Sequence, residues 1–407
     1  MQYPTFAISA GALAAYLLAW CCATWMSRAG LRTSCGEGRL ECIDGLRGFL
    51  AISVLIHHFV IWVQVHQGGD WTPPAANLLN QLGAGAVALF FMITGYLFYP
   101  KILGGASRCS WPAFYLGRMF RILPLVVFSV LLITVAIMIR TDAIIGADYP
   151  KAALKWALAW EEPDLLGYAD SGRLNAYVLW SLWYEWQFYV FVLPACALAS
   201  DLVRGRLPSW TVPVGLISAS LIGQALRAPL PVLTYLPLFG LGMLAFECRR
   251  RERIAMALRQ PGMTAAAVAA LVIGMSIAPT PYGPAMPLFA FFFFCAACGN
   301  TMAGVLGSRG AAVLGECSFG VYLLHGLLLS IIFVDAGALT SAMSLDQLPM
   351  LLPVAVVIIV PVAAVTCLAI ERPAIEVGRR LISLSTGLSL RVRRLGPEAG
   401  RTATASG

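Results

Sequence analysis

The chain has 407 residues, of which 59% are hydrophobic and only 12% charged, and its mean hydropathy is +0.78. A soluble domain carries about twice that charged fraction, so an ordinary cytosolic enzyme, a disordered tail protein and a disulfide scaffold are all excluded. What remains is an all-α polytopic membrane protein. The formal charge of +8 would suggest nucleic acid as a partner in a soluble protein; here it asks which loops hold the cations, and no nucleic-acid partner is expected. The eleven cysteines scatter through apolar runs and basic loops. Cys295 and Cys298 form a CxxC inside FAFFFFCAACGN with no partner motif beside it, which reads as packing thiols with no metal site.

A bilayer core of about 30 Å takes roughly 20 apolar residues as helix. Cutting the chain at charges, prolines and glycines predicts eleven spans, near residues 5 to 26, 48 to 66, 78 to 99, 122 to 140, 176 to 199, 210 to 226, 231 to 247, 262 to 278, 285 to 305, 312 to 334 and 350 to 370. Of the 28 Lys and Arg residues, 23 fall in one set of alternate loops and 5 in the other. The positive-inside rule then puts the N-terminus outside and the C-terminus in the cytoplasm. The first span has no basic segment before it and arginines after it, which predicts an uncleaved anchor. Residues 141 to 175 form the longest outside loop, with six acidic residues and two tryptophans, long enough to cover a site.

Ionisable residues inside spans are costly and therefore point to function. His58 lies near the midplane of the second span, Glu185 is expected at a similar depth in the fifth, and His325 in the outer half of the tenth. Arg47 and His58 are eleven residues apart; eleven steps of about 100° return to within about 20° of the same direction, so both share one helix face some 16 Å apart along it. A fixed cation at the mouth and an imidazole at depth suit an elongated anionic molecule entering from the cytoplasm. Arg118 and Arg121, at i and i+3, add two cations at another helix start. Asp44 is expected to pair with Arg47.

The stretch IDGLRGFLAISVLIHHF (Ile43 to Phe59) resembles the opening motif of acyltransferase family 3, membrane O-acyltransferases of bacterial surface glycans. The family's arginine and histidine fall on Arg47 and His58, with His57 one place out of register. Further matches follow in family order: FFMITGYLF, with Thr94 in place of the usual serine; RMFRILP, with Arg118 and Arg121; WSLWYEWQFY, from Trp180 to Tyr189; SFGVYLLH, ending at His325; and ERP, from Glu371 to Pro373.

The resemblance implies transfer of an acyl group, expected to be acetyl, from cytoplasmic acyl-CoA to a hydroxyl of a cell-surface or lipid-linked glycan at a bacterial inner membrane. No permanently bound cofactor is expected. Arg47, Arg118 and Arg121 would hold the coenzyme A phosphates. His58 would act as base or accept the acyl group itself, with Glu185 as the group that fixes its tautomer. His325, Trp180 and Tyr189 would bind the acceptor. Three parts are expected: an extra anchor and basic loop over residues 1–42, the acyltransferase domain over 43–376, and a basic, partly disordered tail over 377–407. A transporter or flippase, or a non-catalytic assembly partner, are the alternatives that composition leaves open; against the transporter, no paired internal repeat is visible.

Overall fold

The computed structural model describes residues 5–31 and 41–395, and among them the only β feature is an isolated bridge between Leu165 and Tyr168. The helices are α1 (Thr5–Arg28), α2 (Glu41–His66), α3 (Asn77–Gly104), α4 (Trp111–Thr141), α5 (Tyr149–Ala157), α6 (Leu179–Gln187), α7 (Leu193–Val203), α8 (Thr211–Ala225), α9 (Leu236–Arg250), α10 (Glu252–Arg259), α11 (Pro261–Ile277), α12 (Met286–Cys298), α13 (Arg309–Ser330), α14 (Gly337–Ser341), α15 (Leu351–Thr366) and α16 (Arg372–Leu395). Single π turns join α6 to α7 (Phe188–Val192), extend α13 (Ile331–Asp335) and join α15 to α16 (Cys367–Glu371). Such turns tend to sit at functional positions, and two of these three carry Tyr189 and Glu371.

Seven helical segments among the described residues are long and apolar enough to cross a membrane: α1, α2, α3, α4, α6 with α7, α13 with its π turn, and the segment Leu348–Leu384. The expectation of eleven is thus met only in part. The four other apolar runs are helical but short, at 15 residues for α8, 15 for α9, 17 for α11 and 13 for α12. At 1.5 Å per residue they reach about 20 to 26 Å, less than a bilayer core. Prolines and glycines in the turns, such as Pro229, Pro231, Pro279 and Pro284, consume residues that hydropathy alone counts into the spans. α10 and α11 meet at a 76° bend.

The centre of the bundle is the pair α2 and α13. A Cβ on Gly315 would lie 1.9 Å from the Asp44 carbonyl oxygen, and one on Gly48 would lie 2.5 Å from Leu314 Cβ. Between apolar helices in lipid, association depends on such close approach by small residues. Ten residues beyond Gly48 on α2 and Gly315 on α13, His58 meets His325, so the two helices run parallel and in step. A second such contact joins α3 to α9, where a Cβ on Gly242 would lie 1.9 Å from the Met92 carbonyl oxygen.

α1 is part of this bundle. Tyr16 shares a 2.6 Å hydrogen bond with Ser53 on α2, and Trp20 Nε1 donates to Ser308 Oγ at 2.8 Å ahead of α13. α16 continues past residue 377 to Leu395 and packs Gly378 against Phe120 of α4. The end of the bundle holding Arg47, Arg121 and Arg372 is called the basic end below, and the other, where residues 142–178 fold over the helices, the loop end.

Candidate active site

His58 and His325 meet in the loop-end half of the central helix pair. His325 is wholly buried and His58 half-buried. The distance between His325 Nε2 and His58 Nδ1 is 3.0 Å, and the rings lie 5.0 Å apart between centroids. Each ring also meets the carbonyl one turn back on its own helix: His325 Nδ1 is 3.1 Å from the Val321 oxygen and His58 Nδ1 is 3.0 Å from the Val54 oxygen.

These partners assign the tautomers. A carbonyl only accepts, so His325 Nδ1 carries its proton, and a neutral ring then presents Nε2 as an acceptor. The proton between the two rings must therefore sit on His58 Nδ1, which leaves His58 Nε2 with a bare lone pair. Such a nitrogen can take a proton from a hydroxyl or attack an acyl carbon. Trp71 stacks beside the His58 ring, with centroids 6.4 Å apart, and Tyr177 meets Trp71 edge-on at 5.8 Å.

His57 faces elsewhere. Its Nδ1 is 3.1 Å from the Leu79 carbonyl oxygen, and its ring fills the notch left by Gly83, where a Cβ would come within 2.5 Å. One residue of helix, about 100°, separates a histidine that packs against α3 from the one that pairs with His325.

Glu185 is not the group that orients His58. Its carboxylate accepts from Thr94 Oγ1 at 3.2 Å and from the Tyr189 hydroxyl. Thr94 is eleven residues beyond Gly83 on α3, about 16 Å nearer the basic end. Depth counted from the ends of spans placed Glu185 level with His58; the register between α3 and α6 places it more than two turns below. The orienting group is His325, which the sequence alone placed as an acceptor contact. Tyr189 is buried on Glu185, while Trp180 is partly exposed against Phe91, Tyr184 and Tyr235. Neither is part of the His58 pair.

The expected phosphate-binding arginines all have partners inside the bundle. Arg47 lies 3.7 Å from Asp44 and close enough to Glu371 to act on its charge. Arg121 Nη1 is 2.8 Å from Oε2 of the wholly buried Glu371 side chain, and Arg372 makes a forked contact with Glu316 at 2.9 and 3.1 Å. Arg118 lies over the Phe98 ring at 5.1 Å and engages Tyr189. Arg118 and Arg121 thus splay to different helices and do not form the two-cation face that their spacing predicted.

Three groups go unmarked in the sequence: Trp71, which stacks beside His58, Asn175, which packs on the residue after His325, and Glu162, which faces Asn175. The loop carrying the last two is acidic and rich in tryptophan, which was legible, but which of its acids turns inward was not. Burial pushes the Glu162 carboxyl up to about 8, against the Leu179 N–H that holds it down.

Replacing His325 by alanine should lower acyl transfer about 10²-fold, because the Val54 carbonyl alone would then hold His58 Nδ1, leaving the ring free to turn Nε2 off the productive direction in nearly all molecules and its imidazolium without the partner that stabilises it. His325→Gln, whose amide oxygen can accept from Nδ1, should recover part of the rate. The two steady-state rates relative to wild type test this; equal activity of His325→Ala and wild type removes the tautomer argument.

A family model described as an acyltransferase domain matches residues 40–372, a range that contains both histidines, Arg47, Arg118, Arg121 and Glu371. No curated protein and no solved structure matches the chain. With most of its length covered by that model and an imidazole pair set between membrane-length helices, the chain belongs to acyltransferase family 3 and is a multi-pass membrane acyltransferase.

Proposed function

We propose that the protein moves an acyl group, acetyl foremost, from acyl-CoA to a hydroxyl of a cell-surface or lipid-linked glycan, with His58 Nε2 as the base. The observation that carries this reading is the bare Nε2, left so by the contact of Nδ1 with His325, on a half-buried ring beside Trp71. As the acceptor oxygen attacks the thioester carbonyl, its proton passes to Nε2. The new C–O bond forms, the C–S bond breaks, and the thiolate leaves and regains the proton from the imidazolium. Two steps through an acyl-histidine balance equally, with Nε2 as nucleophile and the acceptor hydroxyl deacylating it.

The donor enters from the basic end, which faces the cytoplasm in this reading of a bacterial inner membrane. Arg47 and Arg118 bind its phosphates, and Arg121 joins them only by exchanging the Glu371 carboxylate for a phosphate oxygen. About 16 Å separates Arg47 from His58 along α2, a distance suited to the extended pantetheine arm.

Purified protein in lipid nanodiscs should release free thiol from acetyl-CoA in the presence of a glycan acceptor. Arg118→Gln should raise the KM for acetyl-CoA about tenfold, the order expected for one charge-assisted contact, and higher salt should raise it further in wild type than in the variant. An unchanged KM would remove Arg118 from the donor site. Absence of any thiol release would sink the reading itself.

A further inference from the structure

The loop end above the histidines holds more buried, unpartnered polar atoms than any other part of the chain described. Glu162 is half-exposed as a residue, yet its Oε2 is withdrawn from solvent and has no hydrogen bond, while Oε1 accepts from the Leu179 N–H at 3.1 Å. Asn175 is wholly buried, and its carboxamide faces the Glu162 carboxyl closely enough to help hold it down, but that contact falls short of hydrogen-bond geometry and neither end of the carboxamide has another partner. A buried polar atom without a partner costs more than the net gain from a typical hydrogen bond, so such a pair in one place asks for a ligand.

Both groups lie beside the part of α13 that carries His325. A Cβ on Gly326, the residue after His325, would come within 2.5 Å of the Asn175 backbone carbon. Glu162 lies near enough to act on the charges of Tyr322 and Tyr177. The Tyr322 ring is 6.2 Å from the His325 ring, and Tyr177 packs on Trp71.

The segment cannot readily turn these groups out to water. Trp156 Nε1 donates to the Pro163 carbonyl at 2.8 Å, and Ser171 Oγ ties the same carbonyl to the Leu165 N–H. Five non-glycine residues in it, Ala159, Leu166, Asp170, Ala176 and Tyr177, hold φ between 51° and 55°. Backbone of this kind is costly and persists where the surroundings enforce it, as they do around binding sites.

We propose that Glu162 and Asn175 form the acceptor subsite, binding two hydroxyl groups of the sugar ring that receives the acyl group and holding it beside Trp71 above His58. A carboxyl and a carboxamide together offer donors and acceptors at a spacing suited to neighbouring hydroxyls. With its pKa near 8, Glu162 can present either protonation state at neutral pH. The subsite rests on the hydroxyl-acceptor reading above and deepens it.

The test uses the full chain in nanodiscs with acetyl-CoA and three soluble polyols, methyl β-D-glucopyranoside, N-acetylglucosamine and glycerol, following acetylated product by mass. Glu162→Ala and Asn175→Ala should each raise the acceptor KM about tenfold, the order for one lost hydrogen bond with its partner left unpaired. The KM for acetyl-CoA should not follow. Glu162→Gln, which keeps the acceptor for the Leu179 N–H and should fold where the alanine variant does not, should restore most of the acceptor affinity. Glu161→Gln, at an exposed ion pair with Lys155, should match wild type throughout. Transfer with a wild-type acceptor KM in both Glu162→Ala and Asn175→Ala overturns the subsite alone. So does a His58-dependent thiol release that yields product with none of the three polyols. Wild-type protein that releases no thiol from acetyl-CoA overturns the transfer reading as well.

Discussion

His58→Ala should abolish acyl transfer, with a loss of at least about 10³-fold, while protein level and membrane insertion stay as in wild type. Proton transfer by a placed base contributes about 10² to 10⁴, and a histidine that also carries the acyl group would cost more. Folding should tolerate the change: the His58 ring is half-buried, and its hydrogen bonds run to one carbonyl and to His325. Removing it leaves His325 Nε2 unpaired, worth about 1 to 3 kcal/mol, unless water enters the vacated space. Product formation and thiol release measured together decide the matter. A His58→Ala protein that transfers at even a tenth of the wild-type rate does not use this imidazole.

Gly315→Val should be nearly as damaging, although residue 315 is about 15 Å along α13 from His325. A single added carbon would already sit 1.9 Å from the Asp44 carbonyl oxygen, so α2 and α13 must move apart or change register. A hydrogen bond of 3.0 Å between His58 and His325 does not survive separation by an ångström or more, and a misplacement of about 1 Å costs about 10²-fold in rate. The expected result is a rate loss of that order with a lowered thermal unfolding midpoint. Gly262→Val, where nothing lies within 4 Å of an added Cβ, is the matched control. Wild-type turnover in Gly315→Val would show that the pairing of the histidines does not depend on this glycine contact.

Much of the site was legible as positions along one helix. The eleven-residue spacing of Arg47 and His58 fixes their common face whatever surrounds them, because it follows from helix geometry alone. The local pairing of Asp44 with Arg47 is of the same kind, and the structure has it at 3.7 Å. What failed depended on two helices at once. Glu185 was matched to His58 by counting residues from the ends of separate spans, but α3 and α6 are offset so that Glu185 meets Thr94 and Tyr189. Arg121 was given to phosphate, yet the π turn before α16 brings Glu371 onto it. Glu162 carried no mark in a loop with five other acids; it became distinct only when that loop folded over α13.

The sequence by itself determined the class of solvent, the helical content and the family, and it singled out His58 as the proposed base. Those follow from composition, from the period of a helix and from an ordered set of motifs, all of which are local properties of the chain. Tertiary structure alone decided which partner orients that nitrogen, which arginines are already paired, and which loop acid is withdrawn from water. These depend on register between helices, and register is set by where backbones can touch. At Gly48 and Gly315 the absence of two side chains lets α2 and α13 close in step, and that contact, not any depth count, brings His325 to His58.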